Sequence, residues 1–94
     1  MTLKPYEDEV LLRMYDKELI MMRYKAIQQV RGMIGWDEIA EKYGVKPSFK
    51  NVIRHLANKG YILWKKSGDV ASLSRMGVEY VVGQLKDLSG ENER

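Results

Sequence analysis

Four polar residues at helical spacing, Lys50, Asn51, Arg54 and Asn58, are the side chains of this 94-residue chain best suited to a specific chemistry. A guanidinium can pair with both acceptors on the major-groove edge of guanine, a carboxamide can do the same with adenine, and an ammonium serves base or phosphate. Beside and between them lie Phe49, Val52, Ile53 and Leu56, which fall on the opposite face of one helix and must pack inward. The segment around them is basic. From Lys46 to Lys66 there are six Lys or Arg (Lys46, Lys50, Arg54, Lys59, Lys65, Lys66) and no Asp or Glu, whereas the whole chain carries a net charge of only +3. More than the entire positive excess is therefore confined to one segment, as neutralising a row of phosphates would require.

Other chemistries are poorly supplied. His55 is the only histidine and there is no cysteine, so no site of two imidazoles or of Cys and His can be assembled, and no metal or other cofactor is expected. Asp37, Glu38 and Glu41 lie along a short helical segment where the macrodipole accounts for acids in the first turn. Ser48, Ser67, Ser72 and Ser74 have cap or turn explanations and no histidine placed to activate them. The glycines are isolated or at turns rather than forming a phosphate loop. The chain is thus not expected to be an enzyme. Six methionines are better read as adaptable packing than as ligands. The absence of a signal peptide and of any membrane-length apolar window gives the expectation of a cytoplasmic protein that does not enter a membrane.

The elements that must position these residues can be read from periodicity and punctuation. Residues 6–31 carry apolar side chains at three-and-four spacing without Gly or Pro and are predicted as one long helix of roughly 37 Å; a break near Asp16 into two shorter helices is the alternative. Trp36 to Tyr43 is a short helix ended by Gly44, and Pro47 biases Lys46 away from helical geometry. Ser48 is a good N-cap for a helix running to Lys59, with Gly60 as its stop. Tyr61 to Lys66 and Val70 to Leu73 are strands joined by Ser67-Gly68-Asp69. Ser74 caps a last helix over 75–88, and 89–94 is read as a frayed tail. The class is α+β, mainly α, in a single domain spanning 1–94.

This order, together with Trp36 to Gly44, Ser48 to Lys59, the exit Asn58-Lys59-Gly60-Tyr61-Ile62 and the step Leu73-Ser74-Arg75-Met76-Gly77, resembles the winged helix-turn-helix family of small bacterial and archaeal transcriptional regulators. The resemblance covers a little over half the chain. It implies a helix-turn-helix over 36–59, a two-stranded wing over 61–73 and sequence-preferring binding of double-stranded DNA. It also implies base reading by Lys50, Asn51 and Arg54, because the N-terminal part of the second helix carries that role. Lys46, Ser48, His55, Asn58, Lys65 and Lys66 are then expected at the DNA backbone. A homodimer is expected through Val10, Leu11, Met14, Tyr15, Leu19 and Met22 of the first helix with Val78, Val82 and Leu85 of the last, and no small-molecule ligand is predicted. The rival readings are a winged helix used as a protein-interaction module and an architectural DNA-binding protein indifferent to sequence.

Overall fold

The computed structural model describes the backbone of residues 3–46 and 48–92, with side chains as far as residue 87; Met1, Thr2, Pro47, Glu93 and Arg94 lie outside it. Helices α1 (Pro5–Asp16), α2 (Ile27–Ile34), α3 (Trp36–Tyr43), α4 (Phe49–Asn58) and α5 (Arg75–Asn92) surround a small antiparallel sheet of β1 (Lys25–Ala26), β2 (Ile62–Lys65) and β3 (Val70–Leu73). The sheet order is β1-β3-β2, so β3 is central, with Trp64 opposite Ala71 and Lys25 opposite Ala71 on the other side. The architecture is α+β and mainly α.

The long helix expected over 6–31 is not continuous, and the cause is local. After Asp16 the backbone turns at Glu18, which takes a left-handed φ of 58°. The N–H of Glu18 then donates to Tyr15 O at 3.0 Å and that of Leu19 to Met14 O at 2.9 Å. This pair of bonds, with buried Leu19 against buried Met14, is the arrangement by which a helix closes its last carbonyls. A glycine normally marks such a stop, and here a glutamate occupies the position. The chain then runs beside the end of β3, where Leu73 N donates to Leu19 O at 2.7 Å and Met21 N to Leu73 O at 2.9 Å. Tying Leu19 and Met21 into the sheet region satisfies backbone groups that a continuing helix would have paired internally. The two strands expected over 61–73 accordingly gain a third, β1.

Elsewhere the punctuation operates as the residue types require. Gly44 and Gly60 both have left-handed φ, 63° and 90°, and each lets the following N–H reach back five residues, Val45 to Ala40 and Tyr61 to Leu56, at 3.0 Å. Ser48 caps α4, its Oγ accepting from Asn51 N at 3.2 Å. Helix α5 extends past the predicted end at Leu88, and 89–92 is helical rather than frayed. Gly90 is tolerated there because one interior glycine costs a helix only about 1 kcal/mol and no proline follows.

One apolar cluster joins the elements. It contains Val10, Leu11 and Met14 of α1, Val30 and Ile34 of α2, Trp36 and Ile39 of α3, the inward face of α4, Leu73 of β3 and Val81 of α5. Trp36 is its aromatic hub, with ring centroids 6.2 Å from Tyr6 and 5.4 Å from Phe49. The burial of α1 overturns part of the expected dimer interface. Val10, Leu11, Met14 and Leu19 are buried within the chain itself, because the reversal at Glu18 lets α2, α3, α5 and β3 all pack on α1. Tyr15 and Val78 are half-buried against the same core, and Val82 is half-buried. Only Met22, 71% exposed, and Leu85, 40% exposed, remain as open apolar surface from that set.

Candidate nucleic-acid interface

Helix α4 divides as its periodicity requires. Phe49, Val52, Ile53 and Leu56 are buried, and Lys50, Asn51, Arg54, His55 and Asn58 are exposed. Burying those four apolar side chains at about 1.5–3 kcal/mol each is what fixes the rotation of the helix and so turns the polar residues outward. Lys46 and Ser48 are exposed at its N-terminal end, Lys65 and Lys66 on the neighbouring hairpin.

The end of α3, from which the chain leads on to α4, is held by a polar junction. Glu9 of α1, whose side chain is only 15% exposed, accepts from Tyr43 Oη at 2.8 Å, Lys42 Nζ at 3.1 Å and Arg13 Nη2 at 2.7 Å. Chiefly the Tyr43 hydrogen bond, against the opposing effect of burial and with help from Arg13 and Lys42, holds its carboxyl down at about 2. The Lys42 ammonium is stabilised in turn, its pKa raised first by the hydrogen bond to Glu9. Arg13 also donates to Ile34 O at 2.8 Å, closing the end of α2. One carboxylate thus clamps the C-terminal turn of α3, from which the chain enters the turn before α4. On the other side Tyr80 of α5 donates to Asp8 at 2.6 Å, and burial followed by that bond raises the phenol's pKa.

Two of the three residues expected to read bases have intramolecular partners that the sequence did not disclose. The Lys50 ammonium is 3.5 Å from Asp69 Oδ2, and the Arg54 guanidinium lies 5.8 Å from the centre of the Trp64 ring. The Trp64 indole N–H donates to Asp69 Oδ1 at 2.9 Å, so Lys50, Asp69, Trp64 and Arg54 form one chain of contacts between hairpin and helix. Lys65 is placed over the Tyr24 ring, 4.7 Å from its centre. His55, expected at the DNA backbone, points its Nε2 toward α1, 3.4 Å from Oε2 of buried Glu7. Among the described residues no carboxylate pairs with Lys46, Arg54, Lys65 or Lys66.

The face therefore brings together Lys50, Asn51 and Arg54 of α4 with the hairpin through Asp69 and Trp64, while His55 is drawn aside to Glu7. Trp64 could have been placed by alternation, since it shares a strand face with buried Ile62 while Leu63 points out. Asp69 had no such signal, because a turn aspartate explains itself locally.

Comparison with protein-family models, curated proteins and solved structures finds no match to this chain. Among the described residues no helix is long and apolar enough to cross a membrane.

Proposed function

We propose that this chain is a winged helix-turn-helix protein that binds double-stranded DNA with a preference for sequence, acting in the cytoplasm as a homodimeric transcriptional regulator. In this reading α3 and α4 are the helix-turn-helix, the β2-β3 hairpin is the wing, and α4 enters the major groove. Lys50, Asn51 and Arg54 read bases, while Lys46, Ser48, Asn58, Lys65 and Lys66 contact the backbone. The observation that carries it is the exposed Lys-Asn-Arg face of α4 standing beside a hairpin with two lysines, within a segment that has no acid between Lys46 and Lys66. Among the described residues Asp69 is the one carboxylate paired with Lys50, Asn51 or Arg54 on that face, and it lies just beyond the segment. A two-fold pair would present two such helices to half-sites one helical turn apart.

Fluorescence anisotropy with labelled duplexes, the protein's own upstream region and a random sequence, at 50 and 200 mM salt, tests this reading. Three cations on phosphates (Lys46, Lys65, Lys66) give a salt slope of about −2.7, hence an affinity loss of about 40-fold across that range. Absence of duplex binding at low salt would sink the proposal in favour of a protein-interaction module. Steep salt dependence with equal affinity for every sequence would instead describe an architectural protein.

A further inference from the structure

We propose that Asp69 is a built-in competitor of DNA phosphate, a positioning residue that engages Lys50 and docks the hairpin on α4 in the free protein and surrenders Lys50 when a duplex binds. This rests on the duplex-binding reading above and adds a regulatory element to the same face.

The placement of Asp69 is set by its backbone. Its φ is 51°, its N–H donates to Lys66 O at 3.1 Å, and its carbonyl accepts from Ile27 N at 3.0 Å. The turn is thereby anchored both to the hairpin and to the start of α2, and the carboxylate has little freedom to wander. Each of its oxygens has one partner: Oδ1 takes the Trp64 indole N–H at 2.9 Å and Oδ2 faces the Lys50 ammonium at 3.5 Å. Trp64 in turn offers its ring to Arg54. A single anion therefore influences two of the three cationic or amide side chains assigned to base reading, one directly and one through an indole.

The two halves of this arrangement differ in permanence. The indole bond is neutral-to-charged, short and half-buried. The ammonium–carboxylate pair is about half exposed on both sides, at a separation where water and salt weaken it. A DNA phosphate offers Lys50 the same charge within a denser anionic field, so the lysine can exchange partners while Trp64 stays bound to Asp69. The consequence is discrimination. Random phosphates must compete with an internal carboxylate for Lys50, and after the exchange they lie near that uncompensated carboxylate, so only a site that also satisfies Asn51 and Arg54 recovers the loss.

Asp69→Asn is the decisive variant. Asparagine supplies an oxygen to accept from Trp64, and it is among the residues best tolerated at left-handed φ, so the hairpin keeps its geometry while the charge is removed. At 50 mM salt Asp69→Asn should bind random duplex about fivefold to tenfold more tightly than wild type. Its salt slope should be steeper by up to about 0.9, because in wild type the carboxylate left behind by Lys50 retains a cation that offsets one of those released from the DNA. The gain should fall below about twofold when the same change is made in a Lys50→Gln background, because the competition has then lost its object. Unchanged affinity in Asp69→Asn, with wild type binding normally, overturns the competitor role and leaves the DNA reading intact. A gain that persists in Lys50→Gln also overturns it, showing only a general charge effect. If neither wild type nor variant binds duplex at low salt, the DNA reading fails and this proposal with it.

Discussion

Replacing Gly77 by alanine tests whether the junction between hairpin and last helix is packed as tightly as the structure requires. Gly77 is buried in the first turns of α5, and a Cβ built on it would stand 2.2 Å from the carbonyl oxygen of Tyr61 and 3.2 Å from Leu73 Cδ2. The first distance is about 1 Å short of the roughly 3.3 Å kept by the closest carbon–oxygen contacts. The obstacle is backbone, and that carbonyl already accepts from Ser74 N at 3.1 Å. Ser74 adds two bonds at the same place, donating to Gly60 O at 2.6 Å and accepting from Gly77 N at 3.0 Å. Relief therefore means moving α5 away from Tyr61 and stretching these bonds together.

Two effects oppose one another in Gly77→Ala. Helix propensity favours alanine by about 0.5–1 kcal/mol, while overpacking typically costs about 1–3 kcal/mol, and an unyielding carbonyl places this site at the upper end. The net expectation is a loss of about 2 kcal/mol, a fall in Tm of roughly 10–15 °C at the 4–8 °C per kcal/mol usual for a domain of this size. Gly83, six residues along the same helix, has nothing within 4 Å of the corresponding Cβ. There propensity acts alone, and Gly83→Ala should raise Tm by about 3–6 °C. Thermal unfolding followed by circular dichroism compares the two directly. If Gly77→Ala proves as stable as Gly83→Ala, the close approach of α5 to Tyr61 is wrong.

Glu9 gives a pH prediction of definite sign. Its folded-state pKa, depressed from 4.5 to about 2, makes its contribution to stability fully present above about pH 4.5 and lost as pH falls through about 2. Urea midpoints should therefore drop between pH 5 and 2 by an amount that Glu9→Gln abolishes, about 1–2 kcal/mol after screening is allowed for; parallel curves for the two proteins would show that the junction does not act as described. For recognition, Arg54→Ala should weaken binding to a preferred duplex by about 1–3 kcal/mol and flatten preference at one base position, measured by competition against single-substituted duplexes. An equal loss on every duplex would reassign Arg54 to phosphate. For assembly, Leu85→Glu should leave the unfolding midpoint within about 0.5 kcal/mol of wild type, as for other surface changes, and shift sedimentation toward monomer. A dimer unaffected by the change would place the interface elsewhere than the open face of α5.

The division of α4 was legible in the sequence because both of its determinants are local. Phe49, Val52, Ile53 and Leu56 fall on one stripe, and Ser48 and Gly60 mark its ends. The end of α1 was legible only as the alternative, a break near Asp16, and the continuous helix was preferred over it for an equally specific reason. Leu19, Ile20, Met21 and Met22 continue an apolar pattern that a helix would also satisfy, and Glu18 gives no sign that it will adopt a left-handed φ. The same ambiguity misassigned Val10, Leu11, Met14 and Leu19. An apolar surplus on a long helix calls for a partner, and once the chain reverses at Glu18 that partner is the chain itself. β1 has only two residues and exists because β3 offers an edge to it, a tertiary cause. Asp69 and Trp64 were visible as residues, but their attachment to Lys50 and Arg54 depends on how the hairpin leans on α4.

The stitches between Leu19, Met21 and Leu73 carry a consequence for how the chain reaches this state. They close a loop of about fifty residues within which α2, α3, α4 and β2 all lie, and closing a loop of that length must precede the reward from the contacts it brings. During synthesis from the N-terminus, α1 and the three helices after it can form their local turns while the sheet still lacks its central strand. The last strand of the hairpin is thus also the keystone of the N-terminal half. A fragment cut to residues 36–73 would retain α3 and α4 but lose the segment that satisfies the backbone of Leu73, so the hairpin behind those helices loses its anchor when the preceding residues are removed.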